Sequence, residues 1–178
     1  MQIELKRAGK EDVDDLQKIS QKTFADTFGK YNTPENMRKY LSENYSVEKL
    51  LQEINNRNSQ FFFAKVQSQI IGYLKINFNS AQTELQEGNS LEIERIYVAK
   101  EFQGQKVGQS FMNKAVEIAR KNKLRFIWLG VWEKNLNAIS FYQRNGFVIF
   151  GNHVFKLGED LQTDIMMKME LDNKKWEP

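Results

Sequence analysis

Cysteine is absent from this sequence, histidine occurs once and proline twice. Without thiols there can be no disulfide framework, no thiolate zinc site and no nucleophile or acyl intermediate on cysteine. The single histidine, His153, excludes a histidine-rich metal centre, and no nucleophile elbow accompanies it, so a Ser/His/Asp hydrolase is excluded too. It reads as a partly buried residue of a strand-like FGNHVF segment. No apolar run approaches the roughly 18 residues needed to span a bilayer, and the opening MQIELKRAGK lacks the apolar stretch of a signal peptide. A cytoplasmic protein, neither exported nor membrane-inserted, is expected.

The 178 residues are 40% hydrophobic and 28% charged, with 10 glycines and no repeat, linker or low-complexity tract. That is a soluble globular composition, and the length predicts one domain, residues 1–172, with a tail at 173–178. The net charge of +3 is too small to argue for nucleic acid. The basic run RKNKLR at 120–125 is explained by cations at a helix C-terminus.

Ile3 and Leu5 alternate with polar neighbours as in a strand, and Val13, Leu16, Ile19, Phe24 and Phe28 then recur at helical spacing until Gly29. Thr33 before Pro34, and Ser46 before Val47, are N-cap signals for two further helices. From Phe61 to Phe78 the residues turn β-branched and aromatic around Gln67-Ser68-Gln69, a hairpin pattern. A strand is expected over 91–98, with Ile93 and Arg95 on one face and Glu92, Glu94 and Ile96 on the other. A helix follows to about 122, then FIWLGVW as a strand buried on both faces. A short helix over 136–144 stops at Asn145-Gly146, and a last hairpin turns around Gly158-Glu159-Asp160. The expected class is α/β with a mixed sheet.

Between the 91–98 strand and the next helix lies EFQGQKVGQSFM. Its Gly-containing turn offers main-chain N–H groups at the positive end of a helix, a site for phosphate oxygens, although the spacing fits neither the GxxxxGK[ST] nor the GxGxxG loop. Further on, EKNLNAISFYQRNGF sets Asn135, Ala138, Phe141, Tyr142 and Gly146 in order. Together these segments resemble the GNAT (GCN5-related) N-acetyltransferase superfamily, with its Q/R-x-x-G-x-G/A and N-x-x-A-x-x-F/L-Y-x-x-x-G-F signatures. DTFGKYNTPENMRKYL, NSQFFFAKVQSQIIGYLKIN, SLEIERIYV, IWLGVWEKN and QTDIMMKM are more narrowly similar to the bacterial PaiA-type spermidine/spermine acetyltransferases.

The resemblance implies a mixed sheet of about seven strands, split by a V-shaped cleft for the pantetheine arm of acetyl-CoA and flanked by four to five helices. It implies that acetyl-CoA is held by Gln103, Gly104, Gln105, Lys106, Val107, Gly108 and Gln109, by the strand edge Ile96, Tyr97 and Val98, and by Asn135, Asn137, Ala138, Phe141 and Arg144. Lys106 departs from the pattern, standing where the first motif glycine is usual; a right-handed helical backbone there would accept it. The edge N–H groups at 96–98 would polarise the thioester carbonyl, Asn135 would orient the pantetheine amide, and Tyr142 would protonate the departing thiolate.

An acceptor amine with a pKa of about 10.4 is neutral in only about one molecule in 2,500 at pH 7, a handicap of roughly 4.6 kcal/mol, so a base is useful. Glu92 and Glu94 sit on alternate strand positions and face the same side; Glu94 is the first choice for a water-mediated base. The stretch from Ile76 to Glu94 carries Glu84, Glu87, Glu92 and Glu94 with only Lys-free and Arg-free sequence between, a balance that suits a polyamine or other small cationic amine. Trp132, Asp26 and Glu84 join Glu92 as candidate acceptor contacts, with Glu35 behind them; Trp128 reads as core. A monomer or homodimer is expected. Peptide N-termini, aminoglycoside-like amines and a non-catalytic CoA-binding regulatory module are the rival readings.

Overall fold

The computed structural model describes residues 1–85, 87–157 and 160–171. In chain order the elements are β1 (Glu4–Arg7), α1 (Val13–Phe28), α2 (Pro34–Asn44), α3 (Val47–Ile54), β2 (Ser59–Val66) and β3 (Gln69–Phe78). Then come β4 (Ser90–Val98), α4 (Val107–Lys121), β5 (Phe126–Trp132), α5 (Leu136–Arg144), β6 (Val148–Leu157) and β7 (Asp160–Glu170). The caps expected from sequence are in place: the Thr33 hydroxyl accepts from the Asn36 N–H and the Ser46 hydroxyl from the Lys49 N–H. Gly146, at φ +90°, reverses the chain after α5. Gly158-Glu159 of the last hairpin and the 173–178 tail lie outside the described residues.

The strands form one open sheet in the order β1-β2-β3-β4-β5-β7-β6. Every pairing is antiparallel except β4 with β5, which α4 joins as a crossover. Alternation decides what each face buries. Ile127, Leu129 and Val131 of β5 pack with Phe111, Ala115 and Ile118 of α4 and with Tyr142 of α5. The opposite face carries Phe61, Phe63 and Tyr73 against Leu16, Phe24 and Phe28 of α1 and Leu50 of α3. Phe126, Trp128 and Met166 form a smaller cluster under the 79–89 loop, where the Trp128 indole donates to Gln82 at 2.7 Å. Among the described residues no helix is long and apolar enough to cross a membrane.

Two departures from regular pairing shape the centre of the sheet. Opposite β3, the register steps from Ile76↔Ile93 to Lys75↔Arg95, so Glu94 is an extra residue, a β-bulge. This corrects the simple alternation expected for 91–98: Ile93 and Ile96 share the α4 face, whereas Arg95 and Tyr97 join Glu92 on the α1–α3 face. The pairing of β4 with β5 ends just before this bulge. Their pairing covers only Ser90–Glu92 against Phe126–Trp128, although both strands continue for several residues. Past that point the facing main-chain edges of the two strands diverge.

Candidate functional site

A cavity of about 330 Å³ opens where β4 and β5 part and reaches through the sheet. Ile93, Ile96, Ala138 and Tyr142 line it toward α4 and α5; Phe28, Tyr40, Tyr97 and Trp132 line it toward α1 and α2. Asn135 stands at its rim, its side chain accepting from the Ala138 N–H as the cap of α5. The Tyr142 ring is clasped by Phe141 and Phe147, with centroids 5.3 and 5.7 Å away. Burial raises its phenol above the ordinary value, so it stays protonated throughout the neutral range.

Beside the cavity, the segment after β4 bends twice into left-handed backbone, at Gly104 (φ +75°) and Lys106 (φ +66°), before α4 begins at Val107. The first intrahelical acceptor is Lys106, which receives the Ser110 N–H, leaving the N–H groups of Val107, Gly108 and Gln109 for a ligand. Gln103 pins the bend by donating to the Val98 carbonyl at 3.2 Å, and Gln109 ties α4 to Asn145 after α5 at 2.8 Å. Phe141 packs over Gly108, its ring 3.6 Å from where a Cβ would be. An unpaired strand edge leading to helix-start amides without intrahelical acceptors fits the extended arm and diphosphate of coenzyme A.

Lys106 is not in the right-handed conformation expected for it. It caps α4 in left-handed backbone, which costs a side-chain-bearing residue roughly 1 kcal/mol and costs glycine nothing. Lys106→Gly is therefore expected to stabilise the fold by about 1 kcal/mol in urea denaturation. A loss of CoA affinity in the same variant would show that the ammonium is used; a gain would show that the side chain is in the way.

The α1–α3 side of the cavity is organised by charge. Lys75, Arg95, Glu53 and Glu94 form a nearly buried quartet: Lys75 lies 3.0 Å from Glu53 and 2.6 Å from Glu94, and Arg95 lies 2.8 and 2.9 Å from the same two. The Arg95 guanidinium also stacks 5.1 Å over Tyr45. Burial pushes the Glu94 carboxyl upward, but Arg95 and Lys75 outweigh it and hold the group at about 2. A carboxylate so weakly basic is a poor proton acceptor at neutral pH, against the first choice drawn from sequence. Glu92 does face the same side, and Asn77 donates to both. Burial raises the Glu92 carboxyl, opposed by hydrogen bonds from Thr83 and Asn77.

Glu84 and Trp132 line the cavity. Asp26 does not: it lies on the exposed side of α1, 3.9 Å from Lys22, and Glu35 is exposed at the start of α2. Asn137 and Arg144 are on the outer side of α5, where Arg144 donates to Ser140. The sequence reading missed Asp164 and Gly130, both in the cavity wall. Each had a signal: one carboxylate inside the apolar strand TDIMM, and one glycine inside FIWLGVW.

Comparison with known proteins adds an independent line. The sequence model of the Acetyltransferase (GNAT) family matches residues 16–147. An uncharacterized N-acetyltransferase from the pepI 3′ region of Lactobacillus delbrueckii subsp. lactis is 43% identical over 169 residues, 95% of this chain and 98% of that protein. Spermidine N(1)-acetyltransferase of Thermoplasma acidophilum is 28% identical over 153 residues, 84% of this chain and 90% of that one. Among solved structures, the PaiA N-acetyltransferase of Thermoplasma acidophilum in complex with coenzyme A superposes with a TM-score of 0.78 at 25% identity, covering 96% of this chain and all of the other.

Proposed function

The chain belongs to the GNAT acetyltransferase family and is an acetyl-CoA-dependent N-acetyltransferase; from that premise we propose that its acceptor is a polyamine of the spermidine and spermine class, acetylated by direct attack with both substrates bound. The observation that carries this reading is the charge balance of the cavity. Glu84, Glu92 and Asp164 line its acceptor side, while among the described residues the one arginine there, Arg95, is already engaged by Glu53 and Glu94. Aromatic walls from Phe28, Tyr40 and Trp132 complement the methylene segments and cationic nitrogens of such an amine. Similarity along most of the chain to a protein named for spermidine acetylation supports the same class.

Acetyl-CoA supplies an acyl group already activated by a thiolate leaving group. This chain's part is to hold and polarise it. In the proposal, the amides of residues 107–109 hold the diphosphate, the β4 edge at Ile96 to Val98 receives the arm and the carbonyl oxygen, and Asn135 orients the pantetheine amide. Tyr142, a buried phenol still carrying its proton, delivers it to sulfur. With no cysteine available, the amine itself is the nucleophile.

Thiol release should be followed with acetyl-CoA and a panel of spermidine, spermine, diamines, monoamines, an aminoglycoside and a peptide with a free N-terminus. Turnover is expected with spermidine and spermine, at KM values at least tenfold below those of monoamines of equal length. Binding of acetyl-CoA without release of its thiol in the presence of any polyamine would overturn the reading and leave a CoA-binding regulatory module or a different acceptor.

A further inference from the structure

We propose that Asp164, poised over Gly130 on the acceptor face of the cavity, takes the proton of the acceptor ammonium; this rests on the amine-acetylating reading above. Among the described residues, four carboxylates line the cavity, from Glu84, Glu92, Glu94 and Asp164. Three are committed elsewhere. Glu94 is held by Lys75, Arg95 and Asn77, Glu92 accepts from the Thr83 N–H, the Thr83 hydroxyl and Asn77, and Glu84 lies 3.2 Å from His153 Nδ1. Among the described residues no hydrogen bond reaches the Asp164 carboxylate.

Its setting is built from strand parity. Asp164 and Met166 of β7 pair in register with Trp132 and Gly130 of β5. On that face β5 carries Phe126, Trp128, Gly130 and Trp132, so the glycine alone leaves a hollow between two indoles, and it is exposed there. Asp164 Oδ2 lies 3.3 Å from where a Cβ at position 130 would be. A side chain at 130 would fill the hollow and press on the carboxylate.

The groups around Asp164 are His153, its register partner on β6, Tyr40 from α2, Glu84 of the 79–89 loop against His153, and Glu92, Glu94 and Arg95 across the cavity on β4. Burial raises the Asp164 carboxyl to about 6, with His153 opposing. That lies near neutral pH, and a base is most effective when its value lies close to the pH at which it acts.

In the step, an ammonium N–H bond breaks and its proton passes to an Asp164 oxygen, directly or through one water. The freed lone pair forms the C–N bond to the acetyl carbon, and the C–S bond breaks with its electron pair staying on sulfur. The nitrogen's second proton replaces the one that Tyr142 gives to sulfur. Asp164 then hands the first proton to solvent, so each acetylation releases one proton.

The test is Asp164→Asn with spermidine as acceptor, alongside Gly130→Ala. At pH 7 we expect kcat to fall about 10²-fold in Asp164→Asn, with the wild-type acid limb near pH 6 lost. At pH 10, where roughly a quarter of a primary amine is already neutral, the deficit should shrink below tenfold. A structural role would instead lower the rate equally at every pH. Independently of turnover, carboxyl carbon NMR of the free protein should show Asp164 titrating near pH 6, and CoA affinity by calorimetry should be unchanged in both variants. Because folding raises this carboxyl, its charge opposes folding above pH 6, so Asp164→Asn should keep its fold and melt a few degrees higher at pH 8. Wild-type turnover with an Asp164→Asn variant that keeps over half of kcat, or loses it equally at all pH, overturns this inference alone; no wild-type turnover with any amine overturns the reading beneath it.

Discussion

Tyr142→Phe is expected to lower kcat about 10²-fold while leaving the dissociation constant for CoA within twofold of the wild-type value. Only one oxygen is lost. The ring stays clasped between Phe141 and Phe147, so the stability of the fold should change by less than about 1 kcal/mol. The departing thiol has an ordinary value near 8.5, and without a proton donor it must leave as the free thiolate. Because burial raises the phenol, Tyr142 imposes no basic limb on the wild-type rate in the neutral range. Single-turnover mixing with spermidine separates chemistry from product release. A variant with wild-type single-turnover rates would remove Tyr142 from the chemistry, and a variant with weakened CoA binding would make it a binding residue.

Lys75→Met is expected to cost about 3–5 kcal/mol of stability, the largest single effect foreseen for the fold. The Lys75, Glu53, Glu94 and Arg95 quartet is neutral as a unit, and Lys75 is only 5% exposed along its side chain. Methionine keeps most of the volume but leaves two buried carboxylates sharing one guanidinium. Adding Glu94→Gln to Lys75→Met removes the surplus charge, so the double variant should be more stable than Lys75→Met by over about 1 kcal/mol. The pH dependence follows from the direction of the shift. The Glu94 carboxyl is lower in the folded state, so its contribution is full above the ordinary carboxylate value and fades as pH falls from about 4.5 toward 2. Asp164 acts oppositely, opposing folding above pH 6 and ceasing to do so as pH falls through 6 toward 3.8. Urea melts of Lys75→Met within about 1 kcal/mol of wild type would show that the quartet contributes little to the stability of the fold.

Much of this site could be read from residue order alone. Helix caps at Thr33 and Ser46, the stop at Gly146 and the β4–α4–β5 unit follow from short-range patterns, and each is in place; Tyr142 is singled out by the family resemblance, and it lines the cavity. What escaped depends on relations that periodicity does not carry. The bulge at Glu94 shifts the phase of β4 by one residue, so alternation misassigned Arg95 and Ile96. Glu94 looked like a base because its partners are distant in sequence, Glu53 on α3 and Lys75 on β3. Asp26 is close in sequence to α1 residues that do reach the cavity, Phe24 and Phe28, yet helical rotation turns it to solvent. Asp164 enters only because β7 inserts between β5 and β6, a strand order that local pattern does not encode.

The central claim is that the diverging edges of β4 and β5, with the twice left-handed bend at Gly104 and Lys106, seat the acetyl donor of this reaction. Isothermal calorimetry of the whole chain with CoA and with acetyl-CoA tests it most directly. The account predicts one saturable site per chain for each ligand, with affinity reduced at least tenfold when Gly108→Trp blocks the start of α4. A flat trace up to millimolar ligand, or binding indifferent to that substitution, would contradict it.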